Sequence, residues 1–296
     1  MQKKRTALVA IVIPLFLAIV KGAIGFATMS ISVLASALDS LMDVFSSSIT
    51  AFAVSASEKP ADENHPFGHA KAEAIAGLVQ AVLIMVSASF LVYQALRRIA
   101  LGYSLKEEGL ALGIMLASVI FSIFLSASMK KAGRIFNSTA FEASALNFTS
   151  DIWTNSGVIV ALGLEKWWHV KNADPIISIL ISLYIIISAA RIGHSAISQL
   201  MDRTLPREFL DLIGETIRAH RPMAKGYHNL RTRWVGGEKF IEFHLELENE
   251  LSFREAHDLT EIIISEIRAK IPNSRLMVHS DPEECTKHAK HPPDVI

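Results

Sequence analysis

Six long apolar stretches dominate the first two thirds of the chain, near 7–27, 30–55, 72–99, 108–130, 141–164 and 175–199. A bilayer core of about 30 Å takes about 20 helical residues to cross, so each stretch predicts a transmembrane helix. Pro14, Gly22, Gly25 and Gly77 fall inside these stretches, and helices in lipid tolerate them where neighbours satisfy the backbone. Six crossings leave both termini on one side. From Leu205 onward the apolar runs shorten and charges return. Residues 206–220 predict a helix opened by proline, and 229–235 a strand ending at Gly236-Gly237. Over 240–248 the pattern alternates: Ile241, Phe243, Leu245 and Leu247 take one face, Glu242, His244, Glu246 and Glu248 the other, as in a half-buried strand. An amphipathic helix over 253–271 and a third strand over 276–279, ended by Asp281-Pro282, complete an αββαβ order. The expected fold is an all-α bundle of six transmembrane helices over 1–203, an α+β domain over 204–283 and a flexible tail over 284–296.

Composition agrees with a membrane protein, since 51% of residues are hydrophobic and arrive in blocks. Lys and Arg total 29 and so do Asp and Glu, which removes the basic surplus that nucleic-acid binding needs. Cys285 is the only cysteine, so a disulfide framework and a Cys-rich zinc module are both excluded, and any metal site must use His, Asp, Glu or Asn. Lys3-Lys4-Arg5 before the first apolar run suggests a signal peptide, but the run exceeds signal length and lacks a small-residue cleavage site. Basic residues concentrate on one side of the six segments, Lys3, Lys4, Arg5, Lys130, Lys131 and Arg134 among them; the other side has fewer, including Lys21, Arg97 and Arg98. That bias predicts a cytoplasmic N-terminus, and the C-terminal domain then lies in the cytoplasm too.

The chemistry is concentrated in carboxylates inside the apolar segments. Asp39 and Asp43 in the second segment are four residues apart, which puts them on one helix face a turn apart. Asn147 and Asp151 repeat the spacing in the fifth. Each acid near mid-membrane costs about 2.5–3.5 kcal/mol on insertion scales, roughly 7–10 for three. No mid-helix Lys or Arg is expected to neutralise them. Four oxygen ligands on two facing helices predict a site for a metal ion. Asn155, one turn further on, is expected to make a helix–helix hydrogen bond. Between helices two and three, Asp62, His65 and His69 form a D-x-x-H-x-x-x-H pattern, a modest metal signal by itself because loop histidines are usually only solvated. In the soluble domain His244 projects from the polar strand face, His279 and Asp281 share a face, and His228 begins the first strand, so these side chains could converge.

These residues resemble the cation diffusion facilitators, and among them the YiiP-type bacterial exporters of zinc and ferrous iron. The resemblance rests on Ser36-Ala37-Leu38-Asp39-Ser40-Leu41-Met42-Asp43, His65-Pro66-Phe67-Gly68-His69-Ala70-Lys71-Ala72-Glu73, Ser150-Asp151 and Leu200-Met201-Asp202-Arg203. It implies a homodimeric antiporter in the bacterial inner membrane, exchanging a cytoplasmic divalent metal for protons, with a ferredoxin-like cytoplasmic domain. It also implies a second metal site at Asp62, His65 and His69, a zinc cluster using His228, His244, His257, His279 and Asp281 at the dimer interface, and a Lys71–Asp202 charge interlock between membrane domains. One position departs from the pattern: where the YiiP type has His, this chain has Asn147. Imidazole suits Zn(II) and Fe(II), whereas an all-oxygen set leans toward harder ions, so the expected cargo widens to Mn(II), Fe(II) or Zn(II). Mg(II) is disfavoured because it keeps its water.

Two rival classes explain less. An intramembrane aspartyl protease on Asp39 and Asp151 would leave Asp43, Asn147 and both histidine groups idle, and neither Gly-x-Gly-Asp nor His-Glu-x-x-His occurs. A metal sensor or scaffold that uses the helices only as an anchor has no use for acids at mid-membrane depth.

Overall fold

The computed structural model describes residues 2–28, 31–101, 109–168, 170 and 172–283; the expected tail lies outside them. The chain divides into two compact units, Met1–Ile197 and Ser198–Ile296.

The first unit consists of α1 (Gln2–Thr28), α2 (Ile31–Ser57), α3 (Ala72–Leu101), α4 (Gly109–Phe136), α5 (Thr139–Trp168) and α6 (Ala173–Leu200). Several helices outrun their apolar stretches: α4 continues through Lys130, Lys131 and Arg134, charges that suit a helix C-terminus. Among the described residues, five of these helices are long and apolar enough to cross a membrane, and α5 is not one of them. At 30 residues α5 has the length, but Glu142, Asn147, Asp151 and Asn155 lower its hydropathy. α1 packs chiefly on α2 and α4 on α5, with Leu125, Met129, Phe141 and Phe148 fully buried in one cluster. Gly77 lets α3 approach α5: a Cβ there would stand 2.9 Å from the Thr139 carbonyl carbon. Buried hydrogen bonds then fix α2 against α3 and α5. Gln80 Nε2 donates to Ser46 O at 2.8 Å and to Thr50 Oγ1 at 2.5 Å, and the Thr50 and Ser144 hydroxyls are 2.6 Å apart.

The second unit comprises α7 (Arg207–Arg218), β1 (Ala224–Val235), β2 (Glu238–Leu247), α8 (Phe253–Lys270) and β3 (Ser274–Pro282). The sheet order is β1-β2-β3, with β2 antiparallel to β1 and parallel to β3 across α8. Ile241, Phe243, Leu245 and Leu247 bury one sheet face against Ile213 and Ile217 of α7 and Leu259, Ile263 and Ile267 of α8. Two strand ends differ from expectation. β1 begins at Ala224, so His228 lies inside it, and the register shifts between His228 and Arg231 where Asn229 takes φ 52. That irregularity breaks the alternation that would have marked the strand's first half. β3 extends to Pro282, paired with Leu247, which places Asp281 within the ladder.

Ser252 caps α8 in a capping box: its hydroxyl accepts from the Glu255 backbone N–H, and the Ser252 N–H donates to Glu255 Oε2 at 2.8 Å. The hydrogen bond from the Ser252 side chain, with that from its backbone, holds the Glu255 carboxyl below its ordinary range. Ser252→Ala should destabilise this unit by about 1 kcal/mol, seen as a lower denaturant midpoint with an unchanged slope.

Candidate metal sites

The spacing of four in α2 and α5 sets two polar faces against each other. Asn147 Nδ2 of α5 donates to Asp43 Oδ1 of α2 at 2.7 Å, tying the two helices at that level. Asp151 Oδ2, one turn further along α5, is buried with no hydrogen-bond partner among the described residues. A buried carboxylate oxygen without a partner is costly, and a cation is the group that would satisfy it. Asp39 is exposed on this chain yet lies within electrostatic range of both Asp43 and Asp151. The donor set is three carboxylates and one amide, all oxygen, which fits a divalent cation. Asp39, Asp43 and Asp151 do not bring their ligand atoms as close together as the two clusters described next do.

Two expectations for this region are corrected. Among the described residues Asn155 makes no hydrogen bond to another helix; its Nδ2 donates to the Asp151 carbonyl on its own helix at 2.8 Å. The expectation that no mid-helix cation faces the acids fails at Lys21. Counted by sequence with the basic residues beyond the membrane, Lys21 lies within α1, is 6% exposed, donates from Nζ to Ser40 Oγ at 2.9 Å, and interacts electrostatically with Asp43, Asp151 and Asp39. Its position within an apolar run was visible in the sequence, but the direction it faces was not.

In the loop between α2 and α3, Asp62, His65 and His69 bring one ligand atom each to within 4.8 Å of the others. Asp62 organises the turn. Its Oδ1 accepts from the backbone N–H of His65 at 2.7 Å and of Asn64 at 3.1 Å, and Oδ2 stands 3.4 Å from His69 Nε2. Gly68 permits the close return, with φ 83 and its N–H bonded to His65 O. The His65 backbone hydrogen bond is the main reason that the Asp62 carboxyl stays below its usual range, so it remains an anionic donor.

In the second unit, register aligns three histidines across the sheet: His228 stands opposite His244, and His244 opposite His279. Asp281 joins them. Its Oδ2 lies 2.8 Å from His244 Nδ1 and 3.4 Å from His228 Nε2, and its Oδ1 lies 3.0 Å from His279 Nε2. Donor atoms of His228, His244 and Asp281 fall within 4.8 Å of one another. The imidazole–carboxylate set fits a transition-metal ion such as zinc. Glu246, placed by sequence only on the polar strand face, pairs through Oε1 with His228 Nδ1 at 2.9 Å and orients that ring. His257 does not join the cluster within one chain: it is exposed on α8, which packs on the opposite, apolar face of the sheet. Of the expected interlock pair, Asp202 Oδ2 lies 3.2 Å from Arg233 Nη1, and Lys71 sits in the turn that leads into α3.

A bundle of long apolar helices that sets Asp43 of α2 and Asp151 of α5 on facing polar faces, followed by a small α+β unit with a histidine–carboxylate cluster, is the arrangement of an integral membrane transporter of cations. Residues 7–201 match the family described as the cation efflux transmembrane domain, and residues 205–283 the cation efflux protein cytoplasmic domain. The chain therefore belongs to the cation diffusion facilitator family. It is 33% identical to the cation-efflux pump FieF of Serratia proteamaculans over 279 residues, 94% of this chain and 92% of that protein. To the FieF pump of Yersinia pestis (strain Pestoides F) it is 34% identical over 288 residues, 97% of this chain and 95% of that one. A solved structure of CzrB, 30% identical, aligns with 27% of this chain and 98% of its own at a TM-score of 0.26. The matched family and the FieF relatives are cation-efflux transporters, not enzymes, which sets aside the protease reading.

Proposed function

We propose that this chain is a proton-coupled antiporter that exports Zn(II), Fe(II) or Mn(II) from the cytoplasm by alternating access, binding the ion with Asp39, Asp43, Asn147 and Asp151. The observation that carries the reading is the junction of α2 and α5, where Asn147 meets Asp43 and, one turn along α5, an Asp151 oxygen is buried without a hydrogen-bond partner among the described residues. Metal and protons compete for the same carboxylate oxygens, so a site open to each side in turn couples the two gradients with no separate proton path. All six helices cross the membrane. α5, about 45 Å long, turns its polar stripe inward, and both termini lie in the cytoplasm at the bacterial inner membrane. The transport domain covers 1–203 and the ferredoxin-like domain 204–283, the latter supported by the αββαβ order and the parallel β2-α8-β3 crossover.

The protein acts as a homodimer. His257, separated by the sheet from His228, His244, His279 and Asp281 of its own chain, contributes to the zinc cluster across the interface, and Lys71 and Asp202 interlock the membrane domains. Asp62, His65 and His69 hold a further ion in the loop.

Asn147 widens selectivity toward Mn(II) and Fe(II), because an amide oxygen replaces the softer imidazole. Flux of Mn(II), Fe(II) and Zn(II) into proteoliposomes with an imposed pH gradient tests this. Asn147→His should shift preference toward Zn(II) by about tenfold or more, on the order of one well-placed ligand contact. An unchanged preference would make Asn147 a bystander.

A further inference from the structure

Lys21 has no place in a site built only from anionic and neutral ligands, and its burial needs a reason. Lys is rarely buried unless it is paired, and near a helix end in lipid it ordinarily extends toward water. Lys21 does neither. It lies about two turns before α1 ends at Thr28, and Asp39 lies about two turns after α2 begins at Ile31, so the two share a level in the bundle. Its ammonium is held by Ser40, the residue between Asp39 and the turn that carries Asp43. The helices approach closely beside it: a Cβ on Gly25, one turn on from Lys21, would meet Leu34 of α2 at 2.8 Å. The ammonium is thus fixed in place by α2 and sits in the field of Asp43, Asp151 and Asp39.

We infer that Lys21 is a resident countercharge of the transport site, fixed by Ser40, which weakens the hold of the three carboxylates on a divalent cation so that the cation can be released. The inference rests on the proposed transport site and adds a residue to it. Three carboxylates with one dication leave an excess negative charge. The Lys21 ammonium completes a neutral set, the arrangement that costs least where the dielectric is low. Without it the site remains anionic when loaded, binds metal harder and releases it more slowly. Lys21 is a positioning residue: it shapes the field in which the ligands act and need not touch the ion.

The test uses the full-length chain with Asp62→Ala and Asp281→Ala, so that the loop and sheet clusters no longer bind, and Zn(II) as the probe. Affinity is measured by calorimetry in detergent and flux in proteoliposomes, for Lys21→Met, Lys21→Gln, Lys21→Arg and an Asp151→Asn control. Met keeps the length of the side chain, and Gln keeps a donor for Ser40. Both should lower Kd by about tenfold or more through loss of a like charge near the ion, and both should lower KM and kcat together as release slows. Arg should keep Kd near the parent value. An unchanged or weaker affinity in Lys21→Gln overturns the inference, as does a change seen with Met and Arg but not with Gln, which would assign Lys21 to packing. If Asp151→Asn leaves Zn(II) affinity intact, the transport site itself is misplaced and the Lys21 inference falls with it, an outcome the control separates from the others.

Discussion

Asp151→Asn should bring metal flux in proteoliposomes to the level of empty vesicles while the protein purifies and folds as the wild type does. The substitution keeps the shape of the side chain and removes its charge. Asp151 Oδ2 is buried without a hydrogen-bond partner among the described residues, so no structural bond is lost with it. Breaking a packed network would instead lower stability, as expected for the Gln80, Thr50 and Ser144 contacts between α2, α3 and α5. Loss of flux with preserved stability separates a ligand from a scaffold residue. Flux persisting near the wild-type rate would place the site elsewhere.

The second large effect is expected at Asp281. Its two oxygens contact His244, His228 and His279, so one side chain gathers ligands from all three strands. A metal that binds only the folded unit stabilises it by mass action, about 2.7 kcal/mol at a free concentration a hundredfold above Kd. In the wild type, zinc should therefore raise the unfolding midpoint of the second unit by several degrees. Asp281→Ala should abolish that rise and lower the zinc-free midpoint only by the loss of its hydrogen bond to His244, about 1 kcal/mol. A zinc-dependent rise that survives the substitution would mean that the ligands lie elsewhere.

Much of this architecture was legible because it is local. The spacing of four that aligns Asp39 with Asp43 and Asn147 with Asp151 follows from helical period alone, and the hairpin turn at Gly236, with φ 59, follows from a Gly-Gly pair between alternating segments. What stayed hidden depends on partners distant in sequence. That His228, His244 and His279 could converge was legible, but their alignment in one row across the sheet needs strand register, and the irregularity beside Asn229 hid the first half of β1. The length of β3 is set by its pairing with β2, not by any pattern of its own. Lys21 was misassigned because sequence gives its depth in α1 but not the neighbour it faces, and the hydrogen bond to Ser40 decides that. α5 shows the converse: the residues that make it a site are those that lower its apolar character.

The most direct test of the central claim follows metal uptake and proton release together in the same proteoliposomes, with membrane potential clamped and only a pH gradient imposed. The account predicts that Mn(II), Fe(II) or Zn(II) entering the vesicles is matched by protons leaving, and that both movements stop together in Asp151→Asn. Metal uptake with no proton counterflow, unchanged when the pH gradient is collapsed, would contradict it.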